Sequence, residues 1–259
     1  MQVIAVMNQK GGVGKTTTAV NLAAALARSG RGVWLIDLDP QAHASLHLGV
    51  LGHQVPRNIY HVLTGACDLA AAATPPRPDG LRLVPSDIAL SGVEVELAGV
   101  VGRERVLTEA IEQAAGAGPL SADALLILDC PPSLGVITLN ALTAARWMLL
   151  PVQTEFLALH GIAQLMNTLD LVRRRLNPAL ALLGVLACRH DARRRLARDV
   201  LAEIQAHFPD RLLKTIIREN VRLAEAPSHG LSIFEHAPAS TGAEDYQALA
   251  AELEKRLEG

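Results

Sequence analysis

The residues best suited to chemistry lie in one glycine-rich segment, Lys10–Thr17, which reads KGGVGKTT and follows the apolar run Val3–Met7. Glycines let the backbone turn so tightly that successive N–H groups converge on phosphate oxygens. Lys15 can then reach the outer phosphates of a nucleotide, and the Thr16 hydroxyl can bind Mg²⁺. A helix starting here directs its positive end at the same point. These features predict a nucleotide-binding loop. Its residues are Lys10, Gly11, Gly12, Val13, Gly14, Lys15, Thr16 and Thr17.

Three carboxylates follow apolar runs that are predicted to be strands. Asp37 and Asp39 lie in the segment LIDLDPQ, and Asp129 ends the run before Cys130. Ligands of parallel sheets bind beyond the carboxyl ends of the strands, so these groups should meet the glycine-rich loop. We expect Asp129 to hold Mg²⁺ through water, and Asp37 is a candidate for the same shell. Asp39 is a candidate for orienting or deprotonating the attacking water. A role as a cap or turn residue stays open for Asp37.

These residues need strands and helices to position them, and both alternate along the chain. Strands separated by helices of this length predict an α/β fold, with a mostly parallel twisted sheet and helices on both faces. No internal repeat or linker divides the chain, so one domain over residues 1–259 is predicted. The predicted strands are Val3–Met7, Val33–Asp37, Leu81–Pro85, Leu125–Asp129, Met148–Pro151, Leu182–Cys188 and Leu212–Ile217. The predicted helices are Thr16–Arg28, Ile88–Gly99, Arg103–Ala115, Thr138–Ala145, Ala158–Leu176, Leu196–His207 and Ala243–Leu257.

Composition excludes several classes of protein. The chain has 259 residues, half of them hydrophobic, and a net charge of only −2, so no global field drives it onto nucleic acid or an anionic membrane. Its three cysteines (Cys67, Cys130 and Cys188) are far apart and lack CxxC spacing, which favours reduced thiols over disulfides or a zinc site. No apolar run reaches the ~18 residues that a membrane span needs. We expect a soluble, cytoplasmic protein.

Five segments resemble the ParA/MinD family of deviant-Walker P-loop ATPases, and within it the small, Soj-like ParA proteins. They read KGGVGKTT, LIDLDPQ, LILDCPPSLG, QTEFLALHG and NVRLAEAPSHG, at positions 10–17, 35–41, 126–135, 153–161 and 220–230. An ordinary phosphate-binding loop needs only Lys15, and the second lysine, Lys10, sharpens the match. The similarity runs nearly end to end, and several independent motifs in one order are highly specific.

The resemblance implies an ATP- and Mg²⁺-dependent ATPase that acts as a dimer. In this family two subunits enclose two ATP molecules, and Lys10 would reach the partner's nucleotide. Asp39 would serve hydrolysis, with Asp37 on the same switch segment, and Asn220 and Pro227 would contribute to nucleotide binding. The ATP-bound dimer would bind DNA nonspecifically, until a ParB-like or other cargo-adaptor protein stimulates hydrolysis and releases it. The cargo (chromosome, plasmid or protein assembly) stays open, and nucleoid association is expected.

Positive charge is concentrated between Leu171 and Arg222, where 12 Lys/Arg accompany five Asp/Glu. Such a segment is either a solvated face or a surface for a phosphate backbone. With only seven aromatic residues of the Trp, Tyr and Phe types, base stacking is not the expected mode. The candidate DNA-binding residues are Arg189, Arg193, Arg194, Arg195, Arg198, Lys214, Arg218 and Arg222.

The chain departs from the family pattern at Glu219, where small ParA proteins commonly have an arginine, and at His160, where glutamate is frequent. Glu219 leaves individual DNA contacts open, and His160 is read as a cap or packing residue. Two alternatives share the nucleotide site. One is a MinD-like membrane ATPase, although the acidic tail Glu244–Gly259 does not favour a bilayer surface. The other is a metabolic P-loop enzyme of related fold.

Overall fold

The computed structural model describes residues 1–155 and 158–258, together with all their side chains except those of residues 158–160. The strands are β1 (Gln2–Val6), β2 (Val33–Asp37), β3 (Arg82–Val84), β4 (Leu125–Asp129), β5 (Trp147–Gln153), β6 (Ala181–His190) and β7 (Leu212–Arg218). The α-helices are α1 (Lys15–Arg28), α2 (His43–His47), α3 (Ile59–Leu63), α4 (Leu69–Ala72), α5 (Val93–Glu96), α6 (Val106–Gly116), α7 (Val136–Ala144), α8 (Ala158–Arg175), α9 (Arg195–His207), α10 (Val221–Glu225), α11 (Ile233–His236) and α12 (Thr241–Glu258). Short 3₁₀ turns occupy Gly52–Gln54, Ile88–Gly92, Leu97–Gly99 and Ala226–His229.

All seven strands pair in parallel in one sheet, in the order β3-β2-β4-β1-β5-β6-β7. Helices cover both faces, so the sheet separates two apolar layers. Strand β1 contributes to both: Val3 and Ala5 belong to one layer, and Ile4 and Val6 to the other. Helices α1 and α12 pack in the second layer, whereas α6, α7 and α8 pack in the first. Burial on both faces explains why β2 and β4 are apolar without alternation.

The seven predicted strands are confirmed, with ends displaced by at most two residues. The prediction of one continuous helix over Ile88–Gly99 is wrong, because a single α-helical turn lies there between two 3₁₀ turns. Gly92 and Gly99, at the ends of those turns, disfavour a continuous helix. The sequence also missed the helices α2, α3, α4, α10 and α11, whose four or five residues are too short for a periodic signal. The single domain stays a prediction, which the one continuous sheet supports.

The strand order brings the predicted site together. β4 lies between β1 and β2, and its register pairs Asp129 with Val6 on one side and with Asp37 on the other. The glycine-rich loop begins just after β1, at the same edge of the sheet. Two carboxylates and the loop therefore meet because three neighbouring parallel strands end together.

Candidate active site

Glycines give the loop its shape. Gly12 and Gly14 have φ of 75° and 95°, in the left-handed region that costs other residues roughly 1–2 kcal/mol. A Cβ at Gly14 would lie 3.7 Å from the Cβ of Cys188, which is an ordinary contact, so the backbone conformation rather than space requires glycine. Gly14 directly precedes α1 and has no side chain to cap the helix. The first N–H groups of α1 are thus available to an anion.

Lys15 is buried at the start of α1, and its Nζ donates to the carbonyl oxygen of Lys10 at 3.2 Å. Burial lowers the pKa of Lys15, and the carboxylates of Asp129 and Asp39 oppose that effect. The ammonium group therefore lies inside the loop and close to the acidic residues. The side chain of Val13 is buried, so only the backbone of this residue can face a ligand.

Asp37 is buried and fully hydrogen bonded. Its Oδ2 accepts from the Ser45 backbone at 2.8 Å and from the Ser45 hydroxyl at 2.7 Å, and its Oδ1 accepts from the Asp39 backbone at 3.1 Å. Burial raises the pKa of Asp37 to about 6, although the bonds from Ser45 and Asp39 counteract this rise. These bonds fold the segment after β2 back onto the strand end. Asp37 thus has the structural role left open by the sequence, and its metal role stays a prediction.

Ser45 provides a test of that role. We expect Ser45→Ala to lower the free energy of unfolding by about 1–3 kcal/mol, because a buried carboxylate loses a hydrogen bond. The Ser86 backbone N–H, which donates to the Ser45 hydroxyl at 2.9 Å, loses its acceptor as well. Urea denaturation followed by circular dichroism measures the change. Ser91→Ala is the matched control, since the Ser91 hydroxyl bonds only locally to Ile88 at the surface. Equal stability of the two variants would contradict the anchoring role.

Asp129 differs from Asp37 because it is equally buried but unsatisfied. Neither of its carboxylate oxygens has a hydrogen-bond partner among the described residues. Burial and the neighbouring Asp37 hold the pKa of Asp129 well above its ordinary range, and the nearby Thr16 hydroxyl acts in the opposite direction. Buried polar atoms normally have partners. A carboxylate without one, close to a hydroxyl, fits a hydrated Mg²⁺.

The donor set fits magnesium in a further respect. Among the described residues, no group of three or more His, Cys, Asp or Glu side chains is arranged to hold a metal ion by itself. Magnesium in nucleotide sites takes most of its ligands from phosphate and water, with only one or two protein groups. Thr16 and Asp129 are the residues predicted to supply those groups.

Asp39 lies after β2 and is also largely buried. Its Oδ1 accepts from the backbone N–H of Gln41 at 2.9 Å, and its side chain lines the cleft beside the loop. Of the three carboxylates Asp37, Asp39 and Asp129, Asp39 is therefore the one that a ligand in the cleft can contact directly. This placement agrees with the predicted role in hydrolysis, which requires contact with the attacking water.

A cleft of about 710 Å³ runs from the loop towards the end of β7. Its loop end is formed by Gly11, Gly12, Gly14, Lys15, Thr16 and Thr17. Its other end is formed by the segment Ile217–Val221 with Leu223, Ala224 and Tyr246. Of the two residues implied by the family resemblance, Asn220 lines the cleft and Pro227 does not. The Asn220 side chain caps α10 by accepting from Arg222 and donates to the Thr241 hydroxyl, so its amide is already engaged. The sequence did not predict that Tyr246 of α12 and Cys188 of β6 line the cleft, because neither residue lies in a recognisable motif.

Lys10 does not line this cleft. Its ammonium forms an ion pair with Glu155 at 2.8 Å, with the two side chains 42% and 50% exposed. The two lysines of the loop thus point to different places: Lys15 into its own site, and Lys10 to the surface.

The predicted DNA-binding residues do not form one uniform surface. Arg193 and Arg194 both pair with Asp191, and Arg194 also approaches Glu219. Three more are paired: Arg195 with Asp199, Arg218 with Asp245 and Glu244, and Arg222 with Glu225. Arg198 donates to the carbonyl oxygens of residues 192 and 193, and Lys214 is exposed. Arg189 and Arg218 line the cleft beside the glycine-rich loop, together with Glu219.

Two further observations concern the remaining sequence predictions. The side chain of His160 lies outside the described residues, so its predicted role stays untested. No described helix combines the length and apolar character needed to cross a lipid bilayer.

Comparison with known proteins identifies similar chains. The sequence model of a family described as AAA domain matches residues 1–182. The chain is 48% identical to the chromosome-partitioning ATPase Soj of Thermus thermophilus, covering 98% of this chain and 96% of Soj. It is 43% identical to the chromosome partitioning protein ParA of Caulobacter vibrioides, covering 99% of this chain and 95% of ParA.

A solved structure matches over the whole chain. It is described as cobyrinic acid a,c-diamide synthase from Mycobacterium smegmatis with bound ADP and magnesium. The TM-score is 0.86 and the identity 36%, covering 100% of this chain and 96% of that one. The fold described above is thus similar to that of a protein whose structure holds ADP and magnesium.

Proposed function

This chain belongs to the Soj/ParA family of P-loop ATPases and uses ATP and Mg²⁺. From this premise we propose that it is a partition ATPase, which forms a dimer when it binds ATP and then binds nonspecific DNA. Its cargo would be a chromosome, a plasmid or a large protein assembly. Slow hydrolysis, stimulated by a ParB-like or other cargo-adaptor protein, is part of this proposal, as is a cytoplasmic location on the nucleoid. Both of these rest on the family resemblance.

Each site residue has a part in the proposed hydrolysis. Lys15 and the N–H groups of the loop hold the phosphates, and Asp39 orients or deprotonates the attacking water. Thr16 and Asp129 hold Mg²⁺, the latter through water. When bound, magnesium neutralises the charge that develops on the phosphates. The positions that support these roles are the cleft-lining side chains of Lys15, Thr16 and Asp39, and the unsatisfied carboxylate of Asp129.

The observation that supports the proposed dimer is the position of Lys10. A lysine in a phosphate-binding loop that points out of its own cleft, towards Glu155 at the surface, is available to a second nucleotide. An exposed ion pair is worth only about 0–1 kcal/mol, so Lys10 can leave Glu155 at little cost. A cation supplied by a partner stabilises the transferring phosphoryl group in the manner of an arginine finger. Such an arrangement makes hydrolysis depend on dimerisation.

Lys10→Ala separates this role from that of Lys15. We expect the variant to bind ATP with nearly unchanged affinity, because its side chain does not reach its own site, but to lose stimulated turnover by roughly 100-fold or more. Titration with a fluorescent ATP analogue and a phosphate-release assay measure the two properties. Glu155→Ala is the control, since it frees Lys10 and should leave turnover intact. Full turnover by Lys10→Ala would rule out the trans-acting lysine.

The proposed DNA surface lies around the start of α9. Arg193 and Arg195 have side chains 89% and 88% exposed. The partner of Arg195, Asp199, is 63% exposed, and a surface ion pair of this kind exchanges readily. The partner of Arg193, Asp191, is only 12% exposed and accepts two hydrogen bonds from it, so this arginine is held more firmly. Arg195 can therefore move to a phosphate group, whose binding releases counterions and needs no base contact. The acidic neighbours, Glu219 among them, would weaken the affinity without abolishing it.

Binding to nonspecific duplex DNA tests the proposal. We expect binding with ATP and none with ADP or without nucleotide, and we expect the affinity to fall steeply as salt rises from 50 to 200 mM. Fluorescence anisotropy of a labelled duplex measures both dependences. A flat response to salt would argue against backbone recognition. Absence of binding in every nucleotide state would refute the DNA-binding part and make Glu219 the first residue to examine.

The two alternatives are less well supported. A MinD-like membrane ATPase would need an amphipathic C-terminal helix free to contact lipid, whereas α12 buries Tyr246, Leu249 and Leu253 in the core. The observation that favours a metabolic P-loop enzyme is the likeness to cobyrinic acid a,c-diamide synthase, at 36% identity. The higher identity to Soj over the same length favours the partition ATPase.

A further inference from the structure

Arg189 departs from the role that the sequence suggested for it. It is the ninth residue of β6, and its side chain lines the nucleotide cleft together with Lys15 and Thr16. Its Nη1 donates to the carbonyl oxygen of Gly12, inside the loop, at 3.4 Å. The guanidinium is thus located at the phosphate-binding loop of its own chain, although 177 residues separate Arg189 from Gly12.

The backbone at Arg189 explains this location. Successive side chains of a strand point to opposite faces of the sheet. Cys188 packs against α1, with its sulfur 3.8 Å from the Thr18 hydroxyl, so a regular strand would turn Arg189 away from that helix. Arg189 has φ 50°, in the left-handed region, and its side chain reaches Gly12 of the loop that precedes α1. Such a conformation costs a residue other than glycine roughly 1 kcal/mol or more, and it is typical of functional sites.

The charge of Arg189 is uncompensated. Among the described residues, no carboxylate lies within ion-pairing distance of its guanidinium, whereas five of the other candidate DNA-binding arginines pair with Asp or Glu. Its hydrogen bond goes to a carbonyl oxygen instead. A guanidinium group without a carboxylate partner, beside a phosphate-binding loop, is available to bind an anion. Its planar array of N–H donors matches the oxygens of a phosphate group.

We propose that Arg189 binds the polyphosphate of the nucleotide held by its own chain. It would release the carbonyl oxygen of Gly12 and donate to phosphate oxygens held by the loop. The site would then use two cations from one subunit, Lys15 and Arg189, in addition to Lys10 of the partner subunit. This inference rests on ATP binding in the cleft and is independent of DNA binding.

The test compares Arg189→Ala and Arg189→Gly with the wild type and with Arg105→Ala, an exposed arginine in front of α6. We expect both Arg189 variants to bind a fluorescent ATP analogue about tenfold more weakly, Arg189→Lys to recover part of the loss, and the control to bind normally. Inorganic tripolyphosphate, which has no base, should compete about tenfold less well in the Arg189 variants. Without nucleotide, Arg189→Gly should melt no lower than the wild type, because glycine relieves the strained φ.

The outcomes separate this inference from the proposed function. If the wild type binds ATP and the Arg189 variants bind it equally well, the inference is wrong and the proposed function stands. Weaker ATP binding with unchanged competition by tripolyphosphate would place the contact at the base or ribose and overturn the phosphate assignment. A lower melting temperature of Arg189→Gly without nucleotide would make Arg189 a brace for the loop. If the wild type itself binds no ATP, the proposed function fails first.

Discussion

Lys15→Ala is expected to abolish ATP binding. The ammonium lies inside the loop, where it donates to the carbonyl oxygen of Lys10, and the charges of Asp129 and Asp39 act on it. Charge-assisted hydrogen bonds contribute about 1.5–3 kcal/mol each. Loss of contacts to two phosphates therefore weakens binding by roughly 100-fold or more. Titration with a fluorescent ATP analogue measures the affinity, and the rise in melting temperature on adding ATP provides an independent readout.

The control for this variant is Lys255→Ala, which removes an exposed lysine near the end of α12 and should leave ATP binding unchanged. The variant at Lys15 is expected to fold, because the substitution removes a buried charge whose pKa burial already lowers. Affinity for ATP within about threefold of the wild type would overturn the assignment of the loop as the phosphate site.

Asp39→Ala is expected to lower hydrolysis by roughly 100- to 10,000-fold, the range for removal of a general base, while ATP binding is retained. Asp39 lines the cleft, but the groups predicted to hold the phosphates and magnesium are elsewhere. With hydrolysis blocked, the proposed ATP-bound dimer should accumulate. Phosphate release measures the first effect, and light scattering with ATP and with ADP measures the second.

Asp39→Asn provides the matched comparison, because an asparagine oxygen can still accept the hydrogen bond from the backbone of Gln41. If the charge acts on water, both variants should be inactive. If Asp39 only shapes the turn, Asp39→Asn should keep most of the activity. Hydrolysis at the wild-type rate by Asp39→Ala would exclude Asp39 from the reaction.

The sequence alone was sufficient for the fold class, and it also predicted which residues form the centre of the site. The loop Lys10–Thr17 could be read directly, because a phosphate-binding loop is local: its shape depends on its own glycines and on the helix that follows. Asp129 could be read as well, since a carboxylate after a buried parallel strand lies at the ligand edge of the sheet. The strands were predictable because burial on both faces demands continuous apolar runs.

Only the tertiary structure decided what depends on distant partners. The hydrogen bonds of Asp37 and the unsatisfied oxygens of Asp129 distinguish two carboxylates that look alike in sequence. Tyr246 enters the cleft because α12 packs against α1. Arg189 lines the cleft and has a left-handed φ, and neither property is visible in its basic sequence context. Composition and spacing determine which elements form and which edge binds the ligand. The pairing of charges and the direction of each side chain arise only when segments far apart in sequence come into contact.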